Sequence, residues 1–140
     1  MSDVQYPVQG SCQCGQVRYR LLAAPKMVVA CHCRECQKLS TSAFSITAVV
    51  GKDDLVFEGE MQYWQRTADS GNINGAMFCP GCGNRIYHIN PAQPEVIKLK
   101  PSNLDDTRMI VPQAHVWVSE KQAWFEIPDG VPCFERQPPG

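Results

Sequence analysis

Seven of the eight cysteines fall into three short clusters: Cys12-Gln13-Cys14, Cys31-His32-Cys33-Arg34-Glu35-Cys36 and Cys79-Pro80-Gly81-Cys82. In an extended chain, residues two apart point to one face, so a C-x-C presents two sulfurs side by side. A C-x-x-C turned by Gly81 and Gly83 has the composition of a zinc knuckle, in which both thiolates reach one tetrahedral ion. The first and third clusters together supply four thiolates, the complement of a closed structural zinc site. Such a site ties residue 12 to residue 82 and contributes directly to folding. The middle cluster supplies three ligands from Cys31, Cys33 and Cys36. An incomplete shell is the mark of a site that takes water or substrate.

The remaining candidates carry weaker signals. His32 lies between two of the thiols, but strand alternation points it away from them. His88 and His115 stand alone and read more readily as structural residues. Cys133, in Gly-Val-Pro-Cys-Phe, has no spaced partner and reads as a small apolar residue or a free thiol. A redox reading of Cys79 and Cys82 requires a helix after the motif, whereas Arg85-Ile86-Tyr87 leads into a strand. A disulfide framework requires export, and the N-terminus lacks a basic region followed by an apolar one.

The elements that position these clusters read mostly as short strands: residues 17–22, 27–30, 44–50, 55–57, 61–66, 73–78, 85–89, 96–100 and 115–118. Proline and glycine punctuate the gaps. Only Arg34 to Leu39 offers a helix. The expectation is a mainly β single domain over residues 9–135, with residues 1–8 and 136–140 as loose ends. Trp64, Trp117 and Trp124 are expected in the core, since large aromatics carry much of the burial in small domains.

A length of 140 residues suffices for a real core, with metal as a supplement. The net charge of −1 gives no reason to expect nucleic acid or an anionic membrane as partner. No run approaches the ~20 apolar residues of a membrane span. The expected location is the cytoplasm, where thiols stay reduced.

The ordered set GSCQCGQVRY, CHCRECQKLSTSAF, MFCPGCGNRIYH and HVWVSEKQAWFEIPDGVPCFE resembles the glutathione-dependent formaldehyde-activating (Gfa) family, to which the centromere protein V domain is related. The resemblance implies an Mss4-like zinc-binding β fold with one short helix after the second cluster. It implies two Zn2+ ions per chain: a structural one on Cys12, Cys14, Cys79 and Cys82, and a functional one on the catalytic Cys31, Cys33 and Cys36. The implied activity is that of a carbon–sulfur lyase, joining glutathione and formaldehyde into S-hydroxymethylglutathione. Family members often carry a basic residue where Gln37 stands and glycine where Thr41 stands. If those positions hold glutathione carboxylates, substrate choice differs here. Arg34, Lys38, Ser40 and Ser42 flank the cluster and are candidates to contact a carboxylate or a developing alkoxide. The alternative is a non-catalytic zinc-stabilised module binding a thiol or a protein partner. Methionine sulfoxide reductase B shares the fold and uses a C-terminal cysteine, but the surroundings of Cys133 do not resemble its active site.

Overall fold

Alternating apolar and polar residues build ten short strands in the computed structural model, which describes residues 3–138. The fold is mainly β with a single α-helix among the described residues, consistent with the expected Mss4-like fold. The chain groups into two compact units.

The first unit comprises residues 3–26 and 48–110. Strands β1 (Val8–Ser11), β2 (Arg18–Leu21) and β5 (Leu55–Glu58) form an antiparallel sheet in the order β1-β2-β5. Strict alternation along β2 buries Tyr19 and Leu21 and exposes Arg18 and Arg20. A second antiparallel set is formed by β6 (Gln62–Thr67), β7 (Ile73–Phe78), β8 (Arg85–Ile89) and β9 (Val96–Leu99). The last four residues of β4 (Ser45–Gly51) pair with β9. Val17, Leu21, Ile86 and Leu99 are wholly buried and form the centre of this unit's core.

The second unit comprises residues 27–47 and 111–138. Here β3 (Met27–Cys31) runs parallel to β10 (Ala114–Val116), with Val116 opposite Cys31. Helix α1 (Arg34–Ser40) follows β3 after only two residues. It starts with Cys33 as its N-cap and ends at Thr41, whose φ of 46° is left-handed. No helix among the described residues is long and apolar enough to cross a membrane.

Three expectations need correction. Val8 is not part of a loose end: it is buried and pairs with Leu21. Nor is Arg136 wholly loose, since its carbonyl accepts from the Trp117 N–H and its guanidinium lies over the Trp117 ring. The tryptophans do not form the core. Trp64 is 51% exposed and Trp124 is 70% exposed. Trp64 sits on β6, which pairs on one side only and is mostly exposed, so its indole rests on the surface opposite Ala76.

Candidate metal centres

Two loops bring the first four thiols together. In the first, the Cys12 N–H bonds the Val17 carbonyl, and the Val17 N–H returns to the Cys12 sulfur at 3.3 Å. In the second, the Gly83 N–H closes on the Cys79 carbonyl and the Gly81 N–H points at the Cys79 sulfur, 3.3 Å away. Gly83 has a φ of +77°, which a residue with a side chain adopts only under strain. A Cβ on Gly81 would lie 3.6 Å from both the Cys14 and Cys79 sulfurs. The Gln13 N–H donates to the Asn84 side chain and joins the two loops directly.

The sulfurs of Cys12, Cys14, Cys79 and Cys82 all lie within 4.8 Å of one another. The Cys12–Cys14 and Cys14–Cys79 sulfur separations are both 3.6 Å. A tetrahedral zinc with Zn–S of about 2.3 Å sets its sulfurs about 3.8 Å apart, so the donor set fits such an ion. Burial opposes ionisation of Cys12, yet the Val17 amide and neighbouring thiols bring its pKa down to about 6. The Gln16 amide favours ionisation of Cys14, but Cys12, Cys79 and the other neighbours outweigh it and push its pKa up to about 11. Four thiols this close do not all shed protons unaided, and a divalent cation removes that penalty.

The second cluster lies within the other unit. Cys31, Cys33 and Cys36 bring their sulfurs within 4.8 Å of one another, and all three are half-buried. Cys31 ends β3. The Cys33 sulfur accepts the Cys36 N–H at 3.3 Å, which folds the first helical turn back onto the strand end. Contacts with Cys33 and Cys36, with burial added, push the Cys31 thiol far up. Cys31 favours ionisation of Cys33, but Cys36 and burial prevail and the net shift is upward. The chemistry of this trio again suits a cation that pays the electrostatic cost of bringing thiolates together.

His32 points away from the thiols, as alternation predicts. It is fully buried, with Nε2 2.8 Å from Nδ1 of His115. The Phe44 and Phe125 ring centroids lie 5.0 and 5.4 Å from its own. Burial, helped by His115 and Lys121, holds its pKa down at about 4, so the imidazole is neutral. His88 is buried in β8 beside Arg85, 3.0 Å away. None of the three histidines belongs to either thiol group. Cys133 is exposed and also outside both groups; its backbone pairs with His115.

Gln37 is the residue that sequence reasoning underrated. It is 5% exposed, and its amide donates to the His32 carbonyl at 2.8 Å and the Glu120 carbonyl at 3.0 Å. Its Oε1 accepts from the Arg34 guanidinium and, at 2.8 Å, from Gln122. Every donor and acceptor of Gln37 is therefore used inside the protein. The Glu120 carboxylate takes the Arg34 backbone N–H at 2.7 Å, the first free donor of the helix. The Ser40 hydroxyl lies 2.7 Å from the Cys36 carbonyl and closes the last turn. Among the described residues, the Lys38 side chain makes one exposed pair, with Glu35 at 3.5 Å. The sequence offered a signal at Gln37 only through the family resemblance, which led one to expect a basic residue there.

The glutathione-dependent formaldehyde-activating enzyme family model matches residues 7–120, more than half of the chain. The chain belongs to this family. A Halomonas elongata protein provisionally named a glutathione-dependent formaldehyde-activating enzyme is 28% identical over 126 residues, covering 86% of this chain and 80% of that protein. A crystal structure of a Rhodobacter sphaeroides protein matches with a TM-score of 0.53 at 24% identity, over 69% of this chain and 87% of its own, and supports the fold. Both Gfa cysteine groups thus have the composition and spacing to hold metal ions.

Proposed function

We propose that this Gfa-family chain is a zinc-dependent carbon–sulfur lyase that condenses glutathione, or a related thiol, with formaldehyde or a similar small aldehyde. The observation that carries the reading is the unequal thiol count, four in one group and three in the other. Cys12, Cys14, Cys79 and Cys82 would close around a structural zinc. Cys31, Cys33 and Cys36 would hold a second and leave a tetrahedral ion one ligand short. A zinc ion bound there supplies positive charge that favours the thiolate form of a substrate thiol.

The chain's own residues would fix the reactants' positions. Cys31 is set by its pairing with β10, and Cys33 and Cys36 by the helix cap. Half-burial leaves these thiols within reach of a small substrate. The substrate sulfur attacks the aldehyde carbon; a C–S bond forms, and the carbonyl π pair moves to oxygen, which takes a proton. Holding the two reactants together lowers the entropic barrier of this step. Lys38 is our candidate for a glutathione carboxylate, because an exposed ion pair gives up little when its lysine moves. Ser40 is a poor candidate for the alkoxide, since its hydroxyl already serves the helix end. Eight free cysteines suit a reducing compartment, the cytoplasm in our reading.

Exchange spectroscopy of a glutathione–formaldehyde mixture tests the activity. Added protein should accelerate hemithioacetal exchange above background, and Cys36→Ser should abolish the gain. Exchange at the background rate, or unchanged in Cys36→Ser, would contradict the reading and favour a binding module.

A further inference from the structure

A different part of the molecule carries the features of a second small-molecule site. The outer face of the β1-β2-β5 sheet opens into a cavity of about 470 Å3. That size is within the range of pockets that take small ligands. Arg18, Arg20, Glu58 and Asp105 line it, together with Ser11 and Tyr19.

The register explains why these side chains meet. Arg18 stands opposite Ser11 on one neighbouring strand and Glu58 on the other. Arg20 lies two residues along the same face. Asp105 joins them because its N–H bonds the Gln9 carbonyl at 2.8 Å. Arg18 and Glu58 are cross-strand neighbours of opposite charge, where a pair is expected. Yet no ion pair joins either guanidinium to either carboxylate among the described residues. Arg18 donates instead to the Gly15 carbonyl through Nε, at 3.2 Å.

We propose that this cavity binds a zwitterion of the amino-acid or short-peptide class. A simple anion would meet the two carboxylates, and a simple cation the two guanidiniums. A ligand with both groups answers both. Its carboxylate goes to the arginine forks, whose planar donors match two oxygens at once. Its ammonium goes to Glu58 and Asp105. The proposal stands apart from the chemistry at Cys31, Cys33 and Cys36.

The test is an amide NMR titration of the full, zinc-loaded chain with four probes: diglycine, S-methylglutathione, acetate and methylamine. S-methylglutathione has no free thiol for the thiol centre, and the position of the shifts separates binding in this cavity from carboxylate contacts near Lys38. Both peptides should give saturable shifts at Gly10, Gly15 and Arg20, and acetate and methylamine should bind at least about tenfold more weakly. Saturation by S-methylglutathione alone assigns the site to glutathione-type peptides; saturation by both peptides assigns it to short zwitterions in general. Arg20→Ala and Glu58→Gln alter exposed side chains and should each weaken the peptides about tenfold or more with the rest of the spectrum unchanged. Cys36→Ser should leave this binding intact. Absence of saturable shifts, or acetate binding as well as the peptides, would overturn the proposal.

Discussion

At the scale of single residues, the two thiol groups should respond differently to the same substitution. Cys79 is completely buried where two loops of the first unit meet. Cys79→Ser should cost about 5 kcal/mol or more, comparable with a domain's whole stability, because metal binding and folding are one equilibrium there. Cys36 is half-buried at a helix start, and Cys36→Ser should leave the unfolding free energy from urea titration within about 1 kcal/mol of wild type while losing one metal. Equal midpoints for the two variants would contradict the division of roles. His88 gives a second residue-scale prediction. Burial, with Lys100, Arg85, Lys98 and Arg66 adding like charge, holds its pKa down to about 3. The unfolded imidazole titrates near the ordinary value of about 6.5. The unfolded chain therefore takes up the proton first. The His88 contribution is full above about pH 6.5 and is lost as pH falls toward 3, at no more than about 1.4 kcal/mol per pH unit. Urea midpoints of wild type and His88→Gln should converge in acid; a constant gap would show that His88 does not titrate this way.

At the scale of elements, the turn from β3 into α1 carries the three-thiol group, and Gln37 clamps that turn. Gln37→Leu keeps the volume and removes four hydrogen bonds, leaving the buried carbonyl of His32 without its donor. The expected cost is about 2–4 kcal/mol, felt locally. A chelator titration should release one metal at least about tenfold more readily and leave the other as in wild type; unchanged release of both would remove Gln37 from this role. The helix's other end is strained. Thr41 is β-branched with φ of 46°, so Thr41→Gly should stabilise by about 1 kcal/mol in urea unfolding. A destabilised glycine variant would mean the threonine hydroxyl, 2.8 Å from the Ser40 carbonyl, outweighs the strain. The strands and the helix were legible because alternation and turn residues are local signals. The partner of β3 was not: β10 joins it in parallel from 83 residues away, and only that crossover brings His115 to His32. β1 escaped because its four residues include a glycine and a serine, so little alternation shows. Gln37 was missed as a clamp because its partners at 120 and 122 are fixed by tertiary structure alone.

At the scale of the whole molecule, each compact unit contains one thiol group. Both groups were legible as sets, because cysteine spacing constrains reach so tightly. The exposure of Trp64 and Trp124 was not, since indole size suggests burial and only the sheet edge decides otherwise. The account comes down to two ions with unequal surroundings, and metal analysis of chelator-free protein tests it most directly. Wild type should carry two zinc ions per chain, and folded Cys36→Ser one. A single ion in wild type, or two retained in Cys36→Ser, would contradict the assignment of Cys31, Cys33 and Cys36 to the open site.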